Sequence, residues 1–119
     1  MEFRCLVLCA PEQTAFFQKS VHQFARQEGR CPAVECFARR EDLLYRLRRG
    51  SCDAVVVALQ GALGMESAIG VRALDASVPL IWISDDEDFG MQSYRLRARM
   101  FLRFPVEEEQ VTRALQRCV

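Results

Sequence analysis

Short apolar runs alternate with amphipathic stretches along the whole chain. Residues 3–9 (Phe-Arg-Cys-Leu-Val-Leu-Cys) read as a first strand. Pro11 then suits the first turn of a helix. Ala15, Phe16, Phe17, Val21, Phe24 and Ala25 recur at helical spacing, and Gly29 supplies the stop. Residues 33–37 read as a short second strand. Residues 40–49 form a helix with Leu43, Leu44 and Leu47 inward, ended by Gly50. Residues 53–58 are a third strand. Its valine run is apolar on both faces, as a central parallel strand must be. Gly61 and Gly64 are read as a loop, and residues 65–74 as a weaker helix interrupted by Gly70. Residues 78–84 give a fourth strand with Pro79 near its start, where a missing N–H is tolerated. The acidic run Asp85-Asp-Glu-Asp88 precedes a helix over 89–96. Residues 100–104 give a fifth strand, broken by Pro105. Glu107, Glu108 and Glu109 open a last helix with Val111, Leu115 and Cys118 inward.

This is five strand–helix units in 119 residues, with no repeat, linker or low-complexity segment. Regular alternation implies a parallel sheet covered on both faces by right-handed crossovers. The expected fold is α/β: one flavodoxin-like domain over residues 1–119, a five-stranded parallel sheet of order 2-1-3-4-5. Half of the residues are hydrophobic, enough for a two-sided core. Formal net charge is zero, which argues against direct nucleic-acid binding. No apolar run approaches the roughly 20 residues of a membrane span. The N-terminus enters a strand directly, without a basic leader, so the chain is read as cytoplasmic.

Six cysteines (Cys5, Cys9, Cys31, Cys36, Cys52, Cys118) and one histidine, His22, contain no Cys-x-x-Cys pair. A structural zinc is therefore not expected, and the thiols are read as reduced and mostly buried. Cys5 and Cys36 are expected on neighbouring strands, where they could oxidise adventitiously. His22 is read as a helix-surface residue.

In the 2-1-3-4-5 order, strands 1, 3, 4 and 5 bring their carboxyl ends to one pocket. Those ends carry Cys9-Ala10-Pro11-Glu12, Ala58-Leu59-Gln60, Ser84-Asp85-Asp86 and Phe104-Pro105. Here the chain resembles the receiver domain of bacterial response regulators, over essentially its whole length. Asp53-Ala-Val-Val-Val-Ala58 resembles the third strand of that family and Pro79-Leu-Ile-Trp-Ile-Ser84 its fourth. Phe89-x-Met91-x-x-Tyr94-x-Leu96-x-Ala98-x-x-Phe101-Leu102-x-x-Pro105 is similar to receivers of the LytTR type, which usually precede a DNA-binding output domain.

Carried over residue by residue, the resemblance places Ala58 at the phosphoacceptor aspartate. It places Cys9 and Ala10 at the paired metal-binding acids, and Phe104 at the lysine before the last proline. Ser84 falls at the Ser/Thr position, Phe101 at the switch aromatic, and Pro105 at a proline commonly preceded by a cis bond. Acyl phosphate formation needs a carboxylate nucleophile and Mg²⁺ needs hard oxygen ligands. Alanine, cysteine and phenylalanine supply neither. The expectation is a degenerate receiver that is not an enzyme, takes no cofactor or metal, and acts by protein–protein contact. Its partners would be itself, another signalling protein, or an output domain that is not read in these residues and would act on transcription.

Other readings stand beside this one. A flavodoxin-like protein binding a flavin or another small molecule has the same fold, but no Ser/Thr-rich phosphate loop follows the first strand. Glu12, Asp85 and Asp86 could rebuild an acidic cation site; the plainer reading is acids at helix first turns. Gly61-Ala-Leu-Gly64 could cradle a phosphate but lacks the Lys-Ser/Thr ending of a P-loop, and a surface turn is expected. Arg39, Arg40, Arg46, Arg48 and Arg49 read as a solvated basic face on the second helix. Arg95, Arg97, Arg99 and Arg103 surround the last strand. Charge there protects a sheet edge from pairing, and the same arginines could face Glu107, Glu108 and Glu109 of a second copy in a symmetric dimer.

Overall fold

The computed structural model covers residues 1–119. Its strands are β1 (Glu2–Cys9), β2 (Cys31–Phe37), β3 (Ala54–Ala58), β4 (Leu80–Ser84) and β5 (Met100–Arg103). Its helices are α1 (Thr14–Gln27), α2 (Arg40–Arg48), α3 (Gly61–Leu74), α4 (Gly90–Arg95) and α5 (Glu108–Gln116). The strands form one parallel sheet in the order β2-β1-β3-β4-β5, as the alternation implies.

The period-2 side-chain alternation of the central strands fills two cores. Phe3, Val7, Val56, Ile81 and Ile83 face α1 and α5, where Phe17, Val21, Phe24, Val111 and Leu115 meet them. Leu6, Leu8, Val55, Val57, Leu80 and Trp82 face the other layer, built on Leu43 and Leu47 of α2 and Val71 of α3. Each fully buried side chain of this size stabilises the fold by about 1.5–3 kcal/mol. No helix is long and apolar enough to cross a membrane.

Several boundaries differ from the sequence reading. β2 begins at Cys31, and Pro32 is tolerated because β2 lies at the sheet edge. Pro11 opens a 3-10 turn (Pro11–Gln13) rather than α1 itself, with the Gln13 N–H donating to the Ala10 carbonyl at 2.9 Å. β5 ends at Arg103, and the Phe104–Pro105 peptide bond is cis.

The largest correction concerns Gly61-Ala-Leu-Gly64. It is not a loop but the first turn of α3, which runs unbroken through Gly70 to Leu74. Gly61 has a positive φ of 66°, which glycine adopts without strain. A Cβ on Gly64 would lie 2.0 Å from the Leu59 carbonyl oxygen, so only glycine lets the helix close against the end of β3. Cys5 on β1 and Cys36 on β2 do lie on neighbouring strands, as expected, though not opposite each other: Cys5 faces Val34 and Cys36 faces Val7. All six thiols are free.

Candidate functional site

Strand order reverses at β1. β2 joins it on one side and β3 on the other, so the crevice of the fold opens above the carboxyl ends of β1 and β3. There the register pairs Cys9 with Ala58. Both are buried, at 1% and 2% exposure. β4 delivers Ser84 and β5 leads into Phe104, whose N–H donates to the Ser84 carbonyl at 2.9 Å.

Two adjoining depressions cover these ends. The inner one, about 200 Å³, has Ala10, Ala58, Leu59 and Phe104 in its lining. The outer one, about 460 Å³, lies between the start of α1 and the Phe104–Val106 turn. Glu12, Gln13, Gln60 and Phe104 line both. Of the residues expected there, Ala10, Ala58, Phe104 and Pro105 line these depressions, while Cys9 and Ser84 line neither and are buried at the ends of β1 and β4. The lining also includes Gln13, Phe16 and Val106, which the sequence reading left out. The helical spacing places Phe16 in the core. Its position only three residues after Gln13, at the helix start nearest the strand ends, is the signal that could have found it.

The polar groups carried by the end of β4 are occupied locally. The buried Ser84 Oγ accepts from the Asp86 N–H at 3.2 Å. The Asp85 Oδ1 accepts from the Gly61 N–H at 3.0 Å, tying the end of β4 to the start of α3. The Asp86 carboxylate accepts from the Asp88 N–H at 2.9 Å and caps the short 3-10 turn before α4. No group of three His, Cys, Asp or Glu side chains is placed to hold a metal ion. Glu12 and Asp85 line the outer depression as separate carboxylates.

Cys9 has two neighbours. The Cys36 thiol on the neighbouring strand, foremost, holds the Cys9 thiol below its ordinary range, and the Thr14 hydroxyl lies 3.9 Å from the Cys9 sulfur. The Cys36 thiol is pushed up, first by Cys9 beside it and then by burial. Phe101 packs edge-on against the Trp82 ring, 5.3 Å between centroids, and Trp82 stacks on Phe89 at 5.4 Å. The Phe101 ring is half-buried and packs against the core layer of α2 and α3.

The arginines near β5 are not arranged as a free basic stripe. Arg97 Nη2 donates to the Ala76 carbonyl at 2.9 Å and Arg99 Nη1 to the Arg117 carbonyl at 2.9 Å. Arg103 pairs with Glu87 of the same chain at 2.9 Å. Arg95 has no partner. Among the expected acidic counterparts, Glu107 belongs to a capping box with Gln110, Glu108 lies 3.7 Å from Lys19, and Glu109 pairs with Arg113 at 2.6 Å. On α2, Arg46 holds Glu35 at 3.0 Å, Arg40 holds Glu66 at 3.2 Å, and Arg49 donates to the Tyr45 hydroxyl at 2.7 Å. His22 is half-buried on α1.

No protein-family model and no curated protein matches the chain. Solved structures do. The receiver domain of a sensor histidine kinase from Pseudomonas aeruginosa PAO1, which holds a magnesium ion in its active-site cleft, superposes with a TM-score of 0.76 at 16% identity. The match covers 98% of this chain and 97% of that one. The response regulator TrrA of Thermotoga maritima, solved with Mg²⁺ and beryllofluoride, gives 0.75 at 15% identity over all of both chains. An orphan response regulator of H. pylori gives 0.74 at 12% identity, covering 98% and 97%. The chain therefore has the flavodoxin-like fold of CheY-like receiver domains.

Proposed function

We propose that this chain is the receiver-like signalling domain of a bacterial response regulator, working by protein–protein contact without aspartate phosphorylation. The observation that carries this reading is the Cys9–Ala58 pair at the switch point of the sheet, with Phe104 beside it. A phosphoryl-accepting receiver needs a carboxylate at the end of β3 and oxygen ligands for Mg²⁺ beside it. A methyl group, a thiol and a phenyl ring hold those places. Without the added charge of a phosphate, Ser84 and Phe101 have no anchor to bias two states. The Ser84 hydroxyl is committed to the Asp86 N–H and the Phe101 ring to Trp82.

The spacing of apolar residues from Phe89 to Pro105 supports a regulator of the LytTR type, coupled to transcription through an output domain. The exposed side chains of α4, Met91 and Tyr94, support a contact surface on that side.

The test is to add Mg²⁺ with acetyl phosphate, and separately with beryllofluoride, to the purified chain. Intact mass and thermal midpoint are then read. No mass increase and no Mg²⁺-dependent shift are expected. A phosphoryl adduct, or stabilisation that requires Mg²⁺ and beryllofluoride together, would sink the reading.

A further inference from the structure

We propose that the outer depression, between the start of α1 and the Phe104–Val106 turn, binds a small organic cation: an amine or amidine carried on an apolar body. The proposal rests on the reading that this crevice has no phosphate chemistry. The cavity, about 460 Å³, falls within the usual range of small-molecule sites. Phe16, Phe104 and Val106 give it an apolar lining, while Glu12 and Asp85 supply carboxylates and Gln60 an amide. No lysine or arginine lines it.

Charge decides the class of ligand. Glu12 has no ion-pair or hydrogen-bond partner in the structure, and Asp85 uses Oδ1 on the Gly61 N–H. An anion entering there meets two carboxylates without a compensating cation. No group of three His, Cys, Asp or Glu side chains is placed there to hold a metal ion, and Mg²⁺ held by only one or two carboxylates is usually bound together with a substrate phosphate. An organic cation needs only charge complementarity and a surface for its hydrocarbon. The rings of Phe16 and Phe104 offer that surface, and a cation over an aromatic face gains further attraction.

The experiment is an amide-resolved NMR titration of the full chain with three probes of one shape: benzamidinium, neutral benzamide and anionic benzoate. Benzamidinium is expected to shift the amides of Gln13, Gln60 and Val106 saturably, with benzamide several-fold weaker and benzoate weaker still. Glu12→Gln should weaken benzamidinium several-fold and leave benzamide unchanged. Glu12 is exposed, so this variant leaves the core intact. Equal binding of benzamidinium and benzamide would overturn the proposal, as would shifts scattered away from the cleft or no saturation. Benzamidinium failing while Mg²⁺ and beryllofluoride also do nothing removes this proposal alone. Mg²⁺ with beryllofluoride shifting the same amides removes the unphosphorylated reading and this proposal together.

Discussion

Between α3 and β4 the chain turns at Asp75. Its Oδ1 accepts from the N–H groups of Ser77 and Val78, each at 3.0 Å, and from the Ser77 hydroxyl at 3.3 Å. Those bonds, the backbone one from Ser77 foremost, hold the carboxyl below its ordinary value of 3.8. A carboxylate with a depressed folded pKa contributes stability that is fully present above its unfolded pKa. That contribution fades as pH falls through the lower folded value. Asp75→Ala is therefore expected to cost about 1 kcal/mol at neutral pH. The difference from wild type should shrink as pH falls below about 4, where the unfolded carboxyl protonates. Urea unfolding at neutral and acid pH checks this; a difference that grows on acidification would refute the assignment. The Ser-Val-Pro context makes the turn readable from sequence. Which residues the carboxylate would cap is not readable, because that depends on how the turn closes.

At the scale of elements, α3 is where sequence and structure part. Its first turn holds two glycines, which in isolation signal a loop. In the fold they do separate work. Gly61 takes the positive-φ position and gives its N–H to Asp85, and Gly64 passes within contact of the Leu59 carbonyl. Both demands are tertiary, set by β4 and by the end of β3. Gly64→Ala should then destabilise by about 1–3 kcal/mol, because the atom it meets is backbone and cannot rotate away. Thermal unfolding measures it, with Gly90→Ala as comparison, since nothing lies within 4 Å of a Cβ there. A Gly64→Ala variant as stable as wild type would mean that α3 starts later than it is placed here. The other end of α3 is fixed by Arg72, whose guanidinium donates to the carbonyls of Leu96 at 2.7 Å, Val78 at 2.7 Å and Asp75 at 3.1 Å. No short-range pattern announces a side chain that ties two loops together.

For the molecule as a whole, the open question is which surface meets a partner. Arg97 and Arg99 looked like contact residues when only the sequence was considered. Their guanidinium groups instead satisfy carbonyls of their own chain, and Arg97 sits at a positive φ of 54°. Charge reversal at either position would disturb the fold and the surface together. Tyr94, 81% exposed on α4, and the unpaired Arg95 are cleaner probes. If the chain self-associates through α4, Tyr94→Glu should turn the dimer into a monomer in light scattering and leave the thermal midpoint nearly unchanged. A dimer insensitive to Tyr94→Glu would move the contact elsewhere. A wild-type chain that stays monomeric at high concentration would remove self-association altogether.

The alternation of apolar and amphipathic segments was sufficient for the five strands, their order and the helical layers. Hydrophobic periodicity and the handedness of crossovers are local or topological constraints that a sequence carries in full. The valine run also settled that β3 ends at Ala58, since a register shifted to Asp53 would leave that run beyond the strand. Only the tertiary structure decided what surrounds that end. The pairing of Ala58 with Cys9, the tie from Asp85 to Gly61 and the placing of Phe16 over the cleft all join residues far apart in the chain or turned by a helix start. Such contacts follow from strand register and helix placement after packing, which no window of neighbouring residues encodes.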